Sequence, residues 1–299
     1  MRPEPAKGLR LGGPRDWLLG GLLLTALVLA VALTVGWGPL LAPWRELGLT
    51  ELLGLLALSA LSYGFRAVRV FDFFRPAFAG RFPTVLRLSI LHNVANNLLP
   101  MRAGEMVFPW LMGRYFGQGF GNALASLIWI RLLDMHFLGL IACLILYLRQ
   151  PWIGWPLAGL LWLLLLPLMA RVGRLAPTGS TRMPARLAST LARAAPVSRR
   201  LIARLYLWTA LSWTAKFIAF ALLLQPFLPL DLWRLLIGVL GAELSSILPF
   251  HGIAGGGTYE LAAVAALVPF GVSPEAALVG AVNLHLFLLG VTLLLGLLA

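Results

Sequence analysis

Residues 96–105 read Asn96-Asn97-Leu98-Leu99-Pro100-Met101-Arg102-Ala103-Gly104-Glu105, and residues 245–251 read Ser245-Ser246-Ile247-Leu248-Pro249-Phe250-His251. The first seven residues of one match the other class for class: two polar, two aliphatic, a proline, an apolar residue and a basic-type one. Glycine and glutamate follow each, as Gly104-Glu105 and as Gly255-Gly256-Gly257-Thr258-Tyr259-Glu260. The prolines stand 149 residues apart, half the chain. Arg131 and His285, basic-type residues inside the next long apolar runs, follow their glutamates by 26 and 25 residues. The chain therefore reads as one transmembrane domain, 1–299, in two related halves, 1–149 and 150–299, each with an interrupted apolar stretch, 84–118 or 232–271.

The rest of the composition places this repeat in a bilayer. Of 299 residues 60% are hydrophobic and 12% charged, and the mean hydropathy is +0.88. Soluble domains carry about a quarter charged residues, so that class is excluded. Apolar runs at 17–36, 50–65, 121–148, 152–170, 205–224 and 275–298 each approach the roughly 20 residues that cross a bilayer. The first is too long for a signal-peptide core, lacks a clear small-residue cleavage site, and reads as a retained span.

Charge sets the orientation. Lys and Arg number 24 against 11 Asp and Glu. The bases gather between apolar runs, which reads as topology and anionic-lipid contact rather than nucleic-acid binding. Residues 1–16 carry four bases, 66–87 carry five (Arg66, Arg69, Arg75, Arg81, Arg87) and 171–204 carry eight with no acid, so these segments are expected in the cytoplasm. The poorly basic loops near Arg45, Arg149 and Asp231 are expected outside. With 81 inside and 149 outside after one clear span, 84–118 enters from the cytoplasm and returns to it. The same count makes 232–271 enter and leave from outside. The short arm of each stretch, 105–117 in the first and 258–270 in the second, has 13 residues, which favours re-entrant hairpins over full crossings. The expected fold is all-α and polytopic: six full spans plus two re-entrant hairpins in an inverted repeat, both termini cytoplasmic.

Inverted repeats with broken helices build many transporter sites, because freed backbone groups are tolerated only where a cavity or ligand satisfies them. Pro100 and Pro249 break the entering helices, and Gly104, Gly255 and Gly257 permit tight turns. A helix starting near Gly104 or Gly257 turns amide groups toward an anion. Glu105 and Glu260, in those first turns, are either caps or carriers of protons or cations. Arg131 and Asp134, at i and i+3, form a self-neutralising pair or hold Arg131 toward a lipid phosphate. Lys216, in mid-span, either serves a ligand, snorkels, or pairs with Glu243 across helices. Asn93, Asn96 and Asn97 form a polar stripe that bonds the other hairpin or a ligand headgroup.

Other chemistry finds no support. Cys143 is a lone thiol in an apolar run, so no disulfide framework arises. His92, His136, His251 and His285 lack metal-ligand spacing. No phosphate-binding loop motif occurs. No cofactor, metal or catalytic residue is expected.

The tips carry a resemblance. Asn96-Asn97-Leu98-Leu99-Pro100 with Arg102-Ala103-Gly104-Glu105 resembles the N-x-L-L-P-x-R-x-G-E signature of the transmembrane, flippase-like domain of lysylphosphatidylglycerol synthases and their stand-alone relatives. Pro249 with Gly255, Gly257 and Glu260 resembles that family's P-G-G-x-G-x-x-E element, and Arg131 with Asp134 its E-R-x-x-D span. The likeness runs from about residue 50 to the end. Ile130 stands where the family usually has Glu, Ala254 replaces a glycine, and His285 stands where Arg is common. Full-length synthases add a soluble aminoacyl-transfer domain, and no stretch here reads as one. The resemblance implies translocation or handling of lipid in a bacterial cytoplasmic membrane: an anionic phospholipid or polyprenyl-phosphate-type lipid moved by a flippase-like transporter. The alternatives are an intramembrane scaffold for a separately encoded lipid-modifying enzyme, or an intramembrane transferase with Glu105 as base.

Overall fold

A computed structural model describes residues 13–78, 80–172, 190–192, 194–196, 198–246 and 252–299. Every regular element among them is helical. In chain order these are α1 (Pro14–Thr34), α2 (Trp37–Leu41), α3 (Leu49–Phe73), α4 (Arg75–Phe78), α5 (Phe82–Leu98), α6 (Val107–Phe116), α7 (Phe120–Arg149), α8 (Gly154–Leu163), α9 (Leu165–Val172), α10 (Arg199–Leu224), α11 (Leu232–Ser245), α12 (Thr258–Leu267) and α13 (Pro274–Leu298).

Capping fixes several starts. The Ser198 hydroxyl accepts from the Leu201 amide at 3.1 Å and that of Ser273 from Ala276 at 3.2 Å, with Pro274 at the first helical position. Glu51 and Glu260 accept from the amides of Gly48 and Gly257, at 3.1 and 2.8 Å. Pro100 ends α5: Leu99 before it is extended (φ −82°, ψ 137°), as a residue preceding proline prefers. A 3-10 segment, Pro100–Met106, then leads into α6.

Six helical stretches are long and apolar enough to cross a membrane: Pro14–Thr34, Leu49–Phe73, Phe120–Arg149, Arg199–Leu224, Ile253–Phe270 and Pro274–Leu298. Five fall on apolar runs read from the sequence. The run at 152–170 instead forms α8 and α9 in series, its apolar stretch Gly154–Leu168 being shorter than the other six. The stretch 253–270 reaches span length because short 3-10 turns, Ile253–Gly255 and Val268–Phe270, flank α12. A second difference matters more for function. α3 continues to Phe73, eight residues past the expected span, so Arg66 and Arg69 are residues of a membrane helix, not of a basic loop. The rest of 171–204 lies largely outside the described residues, and α10 begins at Arg199.

Two apolar clusters frame the interior. One packs Val85 and Leu88 of α5, Phe108 and Met112 of α6, and Leu127 and Ile130 of α7. The larger joins α10, α11, α12 and α13 through Phe220, Val239, Tyr259, Leu267, Leu284 and Phe287. Burial of such side chains contributes roughly 1.5–3 kcal/mol each where they leave water, and dispersion contacts take over where they leave lipid. α5 packs on α6 and α11 on α12, and the segments Pro100–Met106 and Ile253–Gly255 lie against each other between them. α1 flanks both segments. It comes so close that a Cβ on Gly257, whose φ is +85°, would sit 2.9 Å from the Leu23 carbonyl oxygen.

Candidate functional site

The sequence places few charges inside its apolar runs, and the fold brings nearly all of them together. Arg69 of α3, 4% exposed, meets Asp134 of α7 at 2.5 Å and donates to the Thr209 hydroxyl of α10 at 2.8 Å. The indole of Trp213 donates to the same Asp134 oxygen at 2.9 Å. Arg131 Nη1 reaches the other oxygen at 3.3 Å, so one carboxylate serves two guanidinium groups. Arg131 also donates through Nη2 and Nε, at 2.8 and 3.1 Å, to Oε1 of Glu105. Each charge left unpaired at the bilayer centre costs roughly 2.5–3.5 kcal/mol on insertion scales, which makes this pairing a condition of the fold.

Two further pairs complete the set. Lys216 Nζ lies 2.6 Å from Glu243 Oε2, and the Tyr259 hydroxyl donates to Glu243 Oε1 at 3.2 Å. The imidazole Nδ1 of His285 lies 2.6 Å from Glu260 Oε1, while Tyr259 stacks on the ring with centroids 4.5 Å apart. Glu260 thus caps α12 and binds a basic-type partner at once. Of the three alternatives open for Lys216, the structure shows the pairing with Glu243, and it does so at the wall of a cavity. Arg131 with Asp134 is one link of a longer chain rather than an isolated pair.

The three asparagines are each engaged. Asn93 accepts from Arg66 Nη1 at 3.0 Å, Asn96 donates to Glu105 at 3.3 Å, and Asn97 donates to Thr292 of α13 at 2.8 Å. Among the described residues these bonds run to α3, the first tip and α13, not to the second interrupted stretch. Arg66 also donates to the Ser212 hydroxyl at 3.1 Å and lies over the Trp213 ring, 5.2 Å from its centroid.

Between these groups lies a cavity of about 90 Å³. Asn93, Asn96, Asn97, Arg131, Asp134 and Lys216 line it, together with Glu243 and His285. Glu105 stands behind this wall, bonded to Arg131, while Glu260, bonded to His285, lines the neighbouring cavity. A second, apolar cavity of about 220 Å³ lies between α1, the segment 253–256 and α13, and shares Ala254 and His285 with the first. Gly104 lets the first tip close on α5, since a Cβ there would overlap the backbone of Asn96. Gly255, with φ +79°, turns the second segment. Pro249 and the Arg102 side chain lie outside the described residues. Among those described, no three His, Cys, Asp or Glu side chains converge to hold a metal ion.

Sequence reasoning missed Arg66, Arg69, Trp213, Tyr259 and Thr292. A signal for the first two existed: Ser59, Ser62, Arg66 and Arg69 recur at three- and four-residue spacing, one polar stripe on one helix face.

No curated protein matches this chain. The profile of the lysylphosphatidylglycerol synthase TM region matches residues 17–296, which takes in the first span that the motifs alone left outside. Its length and the tip residues that carry the motif leave one conclusion: this chain belongs to the lysylphosphatidylglycerol synthase transmembrane-region family.

Proposed function

We propose that the protein is a flippase-like transporter, without enzymatic activity of its own, that moves an anionic lipid across the bacterial cytoplasmic membrane. One observation carries this reading. Charged side chains from α3, α7, α10 and α11 converge on a polar cavity at the place where the two tip segments meet. A fold that needed only stability would do as well with apolar packing there, because burying ion pairs gains little over well-packed hydrophobic residues.

In this reading the headgroup enters between the tips, meets Arg102, Arg131 or Lys216, and crosses while the tails stay in the bilayer. The halves 1–149 and 150–299 form an inverted repeat, with 84–118 and 232–271 as re-entrant hairpins from opposite faces and both termini in the cytoplasm. The pairs Glu105–Arg131 and Glu260–His285, 26 and 25 residues apart, support that equivalence. α8 and α9 in series, about 28 Å long at 1.5 Å per residue, serve as the span between residues 149 and 173. Glu105 and Glu260 couple movement to protons.

The scaffold reading is favoured by one fact: each cavity carboxylate already holds a cation. Translocation by purified protein in liposomes decides between the two, following labelled phosphatidylglycerol and polyprenyl phosphate with and without a pH gradient. Transport lost in Glu105→Gln and Arg131→Ala is the expected result. Folded protein that moves no anionic lipid overturns the transporter and favours the scaffold.

A further inference from the structure

The two tip glutamates share an arrangement. Each has one carboxylate oxygen held by donors that do not titrate, and the other turned to an imidazole. In the first tip, Glu105 Oε1 accepts from Arg131 and from the Asn96 side chain, while Oε2 lies 3.7 Å from Nε2 of His92 on α5. In the second, Glu260 Oε2 accepts from the Gly257 amide, and Oε1 lies 2.6 Å from Nδ1 of His285. His285 stands in the repeat where the first half has Arg131, so the first half draws its imidazole from another helix. A guanidinium keeps its proton in proteins, and an amide neither takes nor gives one near neutral pH. Imidazole is the side chain that changes charge between about pH 5 and 8. Among the described partners of the two carboxylates, these two rings alone can deliver a proton.

Both rings reach a space that can hold water. Nε2 of His92, Oγ of Ser89 and Nε of Arg69 are buried without a hydrogen-bond partner, and the three residues line one small cavity of about 20 Å³. That is room for one water molecule, which can accept from Arg69 and bond the other two. The charged groups around His92 are Arg66 and Arg69 of α3, Arg131 of α7 and Glu105 itself. From α6 the Phe108 ring faces the imidazole, with centroids 5.1 Å apart. Arg66, Asn93 and Arg131 line this cavity and the main polar one alike. His285 lines both larger cavities. Tyr259 of α12 stacks on it, and Glu243 of α11, Lys216 of α10, Arg66 of α3 and the Arg131 and Asp134 of α7 share its polar side. The α1 side chains on its other side are apolar.

We propose that His92 and His285 are the proton relays of Glu105 and Glu260. A neutral ring takes a proton from cavity water and becomes imidazolium. It then gives the proton on its facing nitrogen, Nε2 in His92 and Nδ1 in His285, to the carboxylate oxygen opposite. A neutral ring and a neutral carboxylic acid result, and the reverse transfer returns the proton to water. The second pair is within direct reach, and the 3.7 Å of the first is closed by a small approach or one bridging water. Protonation of Glu105 loosens its hold on Arg131, which lines the main cavity, and so ties proton uptake to the charge that a cargo meets there. The relay rests on the transport reading for its cargo, and it adds to that reading a residue, His92, and a route for each proton.

The relay is read first without any cargo, by nitrogen NMR of the full chain in bilayers with isotope-labelled histidine, where imidazolium and neutral ring nitrogens give separate signals. Signals are assigned by their loss in His92→Gln and His285→Gln. Both rings are expected to change protonation between about pH 5 and 8. Glu105→Gln should move the midpoint of His92 by about one pH unit or more and leave His285 in place, and Glu260→Gln should do the converse. His136, whose ring nitrogens meet the Tyr206 hydroxyl and the Trp162 carbonyl, is the control and should respond to neither. In liposomes, a pH gradient should speed the movement of labelled phosphatidylglycerol by the wild type, and His92→Gln should cut that gain by about tenfold or more. The proposal falls if either ring keeps one protonation state across this range. It falls equally if His92 ignores Glu105→Gln in protein of unaltered melting, or if His92→Gln keeps the full gain from the gradient. Rings that titrate with their glutamates in protein that moves no lipid overturn the transport reading alone. Lipid movement by the wild type that no gradient speeds overturns the relay alone.

Discussion

The guanidinium of Arg131 gives two hydrogen bonds to a single oxygen of Glu105, at 2.8 and 3.1 Å, tying the first broken tip to the middle of α7. Nη1 of the same group spans to Asp134, which Arg69 also holds. The tip is thereby linked through two carboxylates to α3. Groups bound this way do not act independently, and their energies are not additive.

A double-mutant cycle on Glu105→Gln and Arg131→Ala should therefore show coupling of about 1 kcal/mol or more in detergent unfolding. Each single change leaves a charge without its partner, and the double change removes both. Coupling near zero would mean that water already screens the pair.

Lys216 and Glu243 make a stricter case, because Glu243 is only 3% exposed. Lys216→Met should cost about 3 kcal/mol by stranding that carboxylate, and adding Glu243→Gln should restore much of it. Thermal unfolding of the two variants side by side reads this directly. A double variant no better than the single would place the loss in packing against Phe220 and Trp213, which the ammonium also faces.

How far the sequence shows this site depends on which physical signal each residue leaves. Apolar runs are visible because a bilayer demands length. Asn96-Asn97-Leu98-Leu99-Pro100 and Gly104 stand out because proline and glycine interrupt a helix that hydrocarbon would otherwise keep intact. Arg66 and Arg69 are read differently by the two approaches. A count of positive charge assigns any base beyond an apolar window to the loop, but α3 carries both further because Asp134, Thr209, Asn93 and Ser212 receive them. Those partners lie on α5, α7 and α10, and no local pattern in α3 names them. Tyr259 and Thr292 stay hidden for the same reason: each resembles ordinary helix filler until its partner on another helix is known.

Gly104 offers a prediction about backbone approach. Gly104→Ala places a methyl group against the backbone of Asn96, which cannot yield as a side chain end can. The expected loss is about 1–3 kcal/mol, with weaker transport. Gly54→Ala in α3, where nothing lies within 4 Å, is the control and should be neutral or slightly stabilising. Equal behaviour of the two would show that the tip moves away from α5 at no cost.

Orientation of the tips is open to chemical labelling. In a Cys143→Ala background, Met101→Cys should react only with reagent from the cytoplasmic side and Phe250→Cys only from outside. The opposite pattern at either site would falsify the inverted hairpins.

Ala254 carries the last prediction. Its φ is +52°, the one positive value at a non-glycine position among the described residues, and it sits where the polar and apolar cavities meet. The left-handed conformation costs an L-residue roughly 1–2 kcal/mol, which explains why the resembling motif has glycine there. Ala254→Gly releases that strain but adds about 0.5–1 kcal/mol of unfolded-chain entropy, so melting should stay level or rise by a few degrees. Ala254→Val should do the reverse on two counts. A β-branched residue tolerates positive φ worse, and its added methyl groups narrow the junction between the cavities. Loss of stability with unchanged lipid binding in the valine variant would leave Ala254 a point of strain only. Loss of binding beyond the loss of stability, with the glycine variant binding normally, would make the junction part of the path that a lipid chain occupies.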